Sequence, residues 1–317
     1  MINLDELLQG AKTVAITGHI NPDGDCIGSS LGLYNYIKDN FDNIHVDVYL
    51  QPIAEEFKFL KYSNFISQKI DDEKVYDLFF SLDGAGMDRF EPFAVYFKNA
   101  KKTVVIDHHV SGQEIGDINL IMPDYSSCSQ LLYETMDSQK VSKATAECLY
   151  TGIIHDTGVF KYQQVNEKTM QVAGALMSKG IDFTSIIDKT FYMRTYRQTQ
   201  VLGRALLESV LFYEGKCIFS VITKKEMEFY NVTPDDLSGI IEQLRLNDGV
   251  EVAIFIYEQA PNEYKVGLRS KKYIDVSKIA RMFGGGGHVR ASGFSMTASD
   301  PKDIINCISK QVELQLQ

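Results

Sequence analysis

Apolar residues recur along the first half of the chain in short, nearly unbroken runs. Residues 13–17 read TVAIT, 44–50 IHVDVYL, 76–83 YDLFFSLD and 103–109 TVVIDHH. Runs this rich in Val, Ile and Phe predict strands buried on both faces, and a helical pattern over 26–38 sits between the first two. Together they predict a parallel sheet covered by helices. The stretch 146–154, AECLYTGII, reads as a further helix, and helical patterning continues from about Glu167 to Glu208 with a break at Gly180. The start, MINLDELLQGAK, predicts a short amphipathic helix with Leu4, Leu7 and Leu8 on one side.

Beyond residue 210 the pattern changes. LFYEGKCIFSVIT predicts a hairpin turning at Glu214 and Gly215. Thr233-Pro234-Asp235-Asp236 supplies a capping hydroxyl with proline at the first helical position. VEVAIFIYE and EYKVGLRS alternate as antiparallel strands, and IDVSKIARMF is a short helix running into four glycines. The expected architecture is α/β. A parallel-sheet N-terminal domain occupies 1–192, a helical linker 193–211, and a smaller α/β domain 212–317 faces the first across a cleft.

A chain of 317 residues is comfortable for two cores. No apolar run reaches the roughly 20 residues of a membrane helix. The N-terminus lacks the basic stretch and apolar core of a secretory signal. The five cysteines are scattered and form no CxxC pair, so reduced thiols and a cytoplasmic location are expected. Cys26 reads as a small buried hydrophobe. A net charge of −10 disfavours a grip on long nucleic acid and suits a short, locally held anion.

Polar residues gather at the ends of the apolar runs. His19, Asp23 and Asp25 follow the first, Asp83 ends the third, Asp107, His108 and His109 end the fourth, and Asp156 follows the 146–154 helix. In parallel sheets ligands bind beyond the carboxyl ends of the strands. Five carboxylates meeting there would repel one another unless cations neutralised them. Oxygen donors mixed with imidazole suit manganese, magnesium or iron, and the simplest use is a two-metal centre that hydrolyses phosphate esters. The bland alternative makes the 19–25 loop a helix cap, with Asp25 as the capping residue.

In order along the chain, these segments resemble the DHH phosphoesterase family, named for the triplet seen here as Asp107-His108-His109. GLRSKKYIDVSKIARMFGGGGHVRASGF resembles the C-terminal domain often fused to it. The resemblance runs from His19 to Phe294. It implies two divalent cations, manganese first, with magnesium or iron as alternatives. One would be held by His19, Asp23 and Asp83 and the other by Asp25, Asp83, His108 and Asp156, with Asp83 bridging. It implies that Asp107 supports His108 or touches a metal, and that His109 faces the substrate phosphate or the leaving oxygen. It implies further that a metal-activated water would be the nucleophile, so that no Ser or Cys nucleophile is required.

Taken alone, the glycines and the basic residues near them read as a flexible loop beside a solvated edge. The resemblance reverses this and implies that Gly285, Gly286, Gly287, His288 and Arg269, with Ser270 and Arg290 beside them, bind the rest of the substrate. Phe283 reads first as core and second as a base-stacking ring. The oligoribonuclease and pAp (3′-phosphoadenosine-5′-phosphate) phosphatase branch is the nearest match. Its substrates would be short oligonucleotides or small adenine nucleotides, with no membrane partner and a homodimer allowed. A phosphodiesterase for cyclic di-AMP or pApA is the main alternative; a nucleotide sensor without turnover is the alternative from another class.

Overall fold

A computed structural model describes residues 2–71, 73–84 and 86–316. The chain divides into two compact units, Met1–Met193 and Arg194–Gln317.

In the first unit, α1 (Leu4–Leu8) leads into β1 (Thr13–Thr17), α2 (Gly24–Asn40), β2 (His45–Tyr49), the short β3 (Ile66–Ser67) and β4 (Leu78–Leu82). Then come α3 (Ala94–Asn99), β5 (Thr103–Asp107), β6 (Ile118–Ile121), α4 (Cys128–Tyr133), α5 (Lys143–Asp156), α6 (Glu167–Met177) and α7 (Phe183–Ile187). The six strands pair in the order β3-β2-β1-β4-β5-β6, and every pair is parallel. β1, β4 and β5 are buried almost end to end, which is why their sequences lack polar alternation. One face of the sheet packs with Ile27, Leu31, Leu149 and Ile153 of α2 and α5. The opposite face packs on an aromatic cluster of Tyr49, Tyr76, Phe79, Phe90, Tyr96 and Phe97. The two helices approach closely at glycines: a Cβ on Gly28 would fall 2.5 Å from the Cys148 carbonyl oxygen.

The second unit contains α8 (Tyr196–Leu207), β7 (Val210–Phe212), β8 (Cys217–Ile222), α9 (Lys224–Tyr230), α10 (Ile240–Arg245), β9 (Val252–Ala260) and β10 (Glu263–Ser270). It closes with α11 (Val276–Met282), β11 (Gly286–His288), β12 (Ala291–Thr297) and α12 (Pro301–Leu316). Its sheet runs β11-β12-β10-β9-β8-β7, antiparallel except between β8 and β9.

Two expectations change in detail. The span 193–211 holds α8, whose Val201 and Ala205 are fully buried in the second unit's own core with Ile218 and Leu244. An amphipathic helix with a buried face is part of a domain rather than a spacer. The glycine run does not remain a loop: Gly286–His288 forms an edge strand against β12. Among the described residues no helix is long and apolar enough to cross a membrane.

Candidate active site

The carboxyl ends of β1, β4 and β5 converge, because adjacent parallel strands finish at the same edge. His19 lies two residues past β1, Asp83 directly follows β4, and Asp107 is the last residue of β5. Asp23 caps α2, its Oδ1 accepting from the amides of Asp25 and Cys26 at 3.1 Å each. Asp156 arrives from another direction, as the final residue of α5.

Asp83 sits at the centre and is almost wholly buried. Its φ of 56° is left-handed, a region that aspartate enters more readily than most residues. Oδ2 lies 3.4 Å from His19 Nε2. Oδ1 lies 3.4 Å from His108 Nε2 and 3.6 Å from His109 Nδ1. One carboxylate thus turns its two oxygens towards two groups of donors. His19, Asp23 and Asp83 have ligand atoms within 4.8 Å of one another, as do Asp25, His108 and Asp156, and Asp83, His108 and His109. His108 Nε2 is 2.8 Å from Asp156 Oδ2 and 3.9 Å from Asp25 Oδ2.

These residues fit divalent cations. His19 Nδ1 is 2.8 Å from the Ile20 carbonyl oxygen and His108 Nδ1 is 3.2 Å from that of Tyr125. A ring whose Nδ1–H donates to the backbone keeps the Nε2 lone pair for a metal. Asp83 Oδ1 and His108 Nε2 are buried and face one another and Asp156 without a well-aligned hydrogen bond, as atoms arranged around a shared cation would. Asp25 is fully buried and its oxygens accept from the amides of Cys128 (2.6 Å) and Ser129 (3.0 Å). The sequence reading missed this anchor. Its only local trace is the Ser126-Ser127-Cys128-Ser129 run that opens α4.

Burial by itself would depress the imidazoles, but the carboxylates around them reverse this. Hydrogen bonds to Asp23 and Asp83 lift His19 to about 10, and Asp156 and Asp83 lift His108 to about 11. Burial pushes Asp25 well above the usual carboxylate range, helped by the Asp83 and Asp156 charges, and raises Asp156 as well. Without cations, these shifts favour the protonated imidazoles and protonated carboxyls, which lowers the repulsion within the cluster. Asp107 bonds differently: its Oδ1 accepts from the amides of His108 (2.7 Å) and His109 (3.1 Å) and lies 2.7 Å from His109 Nδ1. That bond, against the opposing effect of burial, raises the His109 pKa. His155 is packed between the rings of Phe57 and Phe191 and is pushed down to about 4 by burial.

In the second unit the register aligns Arg269 with Ala291 and Ala291 with His288, so these three lie in line across β10, β12 and β11. Directly opposed residues share a sheet face. Arg269 Nε donates to Glu242 Oε1 at 2.6 Å. Ser270 is buried and its hydroxyl donates to the Ile274 carbonyl (2.7 Å), which Arg290 Nη1 also reaches at 2.7 Å. The glycines divide by role. A Cβ on Gly285 would fall 2.2 Å from the Gly293 carbonyl oxygen, and Gly287 has φ 133°, whereas Gly286 has open space around it. His288 is exposed, and Phe283 stacks on Phe294 at 4.8 Å.

A parallel sheet that gathers imidazoles and carboxylates beyond its strand ends is the arrangement of a metal-dependent phosphoesterase. The chain belongs to the DHH family: residues 13–153 match the DHH family N-terminal domain and residues 214–314 the DHHA1 domain. It is 29% identical over 305 residues to the probable bifunctional oligoribonuclease and PAP phosphatase of Streptococcus mutans, covering 94% of each chain. It is 28% identical to the bifunctional oligoribonuclease and PAP phosphatase of Mycoplasma genitalium, again covering 94% of each. Among solved structures, an exopolyphosphatase-related protein from Bacteroides fragilis superposes with a TM-score of 0.87 at 25% identity, over 99% of this chain and 96% of that one.

Proposed function

We propose that this protein hydrolyses short oligonucleotides and pAp to mononucleotides, using two divalent cations, manganese foremost. The observation that carries the reading is Asp83, whose two oxygens face separate donor groups. His19, Asp23 and Asp83 would hold one cation, and Asp25, Asp83, His108 and Asp156 the other. When bound, such a pair supplies Lewis acidity and a water activated near neutral pH. The chain's own residues do the rest. Asp107 orients His109 through Nδ1 and favours its protonated form, so Nε2 can offer a proton to the leaving oxygen. The buried amides of Cys128 and Ser129 hold the Asp25 carboxylate in place, so it would be preorganised for a cation. Arg269 and His288, aligned on one sheet face, would take the substrate's second phosphate or nucleoside. Because Arg269 already pairs with Glu242, substrate would compete for it.

The substrate class is further supported by relatives that bear both activities in their names and match this chain over nearly its full length. Free cysteines throughout support a reducing, cytoplasmic setting. The test is one manganese assay on pAp, pApA, cyclic di-AMP and a five-nucleotide RNA. Phosphate from pAp and mononucleotides from the RNA are expected. Turnover confined to cyclic di-AMP or pApA would move the protein to the cyclic-dinucleotide reading, and binding without any turnover would make it a sensor.

A further inference from the structure

The segment just past Asp156 carries backbone strain that metal binding does not use. Gly158, Val159 and Phe160 have φ of 55°, 56° and 62°. Three successive left-handed residues are rare, and a β-branched residue among them is a steric outlier. The turn is held from several sides. The Val159 amide donates to the Ile154 carbonyl (2.8 Å), and the amides of Lys161 and Tyr162 to that of Thr157 (2.8 and 3.0 Å). The Phe160 amide donates to Thr157 Oγ1 (3.0 Å), and that hydroxyl donates to the Ile153 carbonyl (2.6 Å). Strain maintained this way collects at ligand clamps.

The turn separates two rings. Phe160 points inward and packs on the main core, 6.2 Å from the Tyr150 ring. Tyr162 is folded back over bare Gly158: a Cβ there would fall 2.6 Å from Tyr162 Cζ. The residue is nonetheless 50% exposed, so much of it remains open to solvent. A ring that merely covered a glycine would need no left-handed valine to aim it. Its chain neighbours Lys161, Gln163 and Gln164 are polar and exposed, so the segment is not an apolar patch. The ring is thus a flat aromatic surface, backed by the Gly158 backbone and exposed to water, six residues along the chain from Asp156 of the carboxylate cluster.

We propose that Tyr162 is a stacking platform for the substrate's nucleobase. It is a specificity-determining residue on the catalytic unit itself, and the proposal rests on the nucleotide reading given above. Stacking on an aromatic ring is tolerant of base identity, which suits a protein that takes oligonucleotides of mixed sequence.

Two titrations of the full-length protein with manganese test it: AMP, which carries a base, and ribose 5-phosphate, which does not. Wild-type protein should bind AMP the more tightly. Tyr162→Ala should weaken AMP by at least about tenfold, the usual loss of one base stack, and change ribose 5-phosphate less than about twofold. Tyr162→Phe should restore AMP binding, since the ring and not the hydroxyl acts. Manganese content and circular dichroism, unchanged in both variants, would show that the fold persists. Equal AMP binding by wild type and Tyr162→Ala, equal weakening of both ligands, or failure of Tyr162→Phe to rescue would each overturn the platform. Phosphate release from pAp by wild type is scored separately. If it occurs while the platform fails, the proposed reaction stands; if it is absent, the reaction falls on its own evidence.

Discussion

At the scale of single residues the candidate site is a balance of charge. His19 and His108, ordinarily near 6.5, stand at about 10 and 11 because the carboxylates of Asp23, Asp83 and Asp156 face them. A raised folded-state pKa stabilises the cation-free protein fully below about 6.5, and that contribution is lost as pH climbs through the folded values. Manganese needs the unprotonated Nε2 atoms, so binding must expel these protons. Its affinity should therefore rise steeply from about pH 6 to about pH 8, with proton release visible as buffer-dependent heat in calorimetry. An affinity flat across that range would place the cations elsewhere. The residues that carry this balance were legible because they end apolar runs. The anchoring of Asp25 was not, since its amide partners lie 103 and 104 residues away and only the folded chain brings them near.

At the scale of elements, strands were easier to read than the segments between them. β1, β4 and β5 are buried on both faces, so their composition declares them. The glycine run was opaque because glycine permits a turn and an edge strand alike, and cross-strand pairing with β12 decides between them. That pairing ranks the glycines. Gly285→Ala forces a Cβ against Gly293 and Phe294 and should cost about 1–3 kcal/mol, an overpacking penalty, with a weaker grip on pAp. Gly286→Ala meets nothing and should stay within about 0.5 kcal/mol of wild type. Thermal unfolding of the two variants measures the difference. Equal melting temperatures would mean that β11 is not held as described.

At the scale of the whole molecule, each unit has its own apolar core. Leu31, Phe80 and Ile153 belong to the first, Val266, Ile279 and Ile308 to the second, and Val201 with Leu244 to a further cluster in the second. Separate cores favour separate folding. Residues 1–193 expressed alone should fold, take up manganese and hydrolyse a simple aryl phosphate. They should act poorly on pAp, having lost the aligned Arg269 and His288 that would position it. A folded fragment that cleaves pAp as well as the full chain would remove the second unit from substrate selection. The two-domain plan was visible in the sequence as a change from parallel-type runs to alternating strands. The boundary was less so, because α8 looks like a connector until its buried face is seen.

The bridging residue also sets a clock on its own mutant. Asp83 is followed by Gly84, whose carbonyl is held by Ser81 Oγ at 2.8 Å. Asparagine tolerates the left-handed backbone at position 83, so Asp83→Asn should fold normally and lose at least about a hundredfold in activity. It also creates an Asn-Gly pair, the sequence most prone to deamidate through a cyclic imide. Stored at mildly alkaline pH, a pure preparation should age back towards aspartate and isoaspartate. Activity should return in step with the aspartate fraction seen by peptide mapping, while the isoaspartate fraction stays silent. Deamidation to aspartate without any return of turnover would show that Asp83 is not the group that joins the two halves of the site.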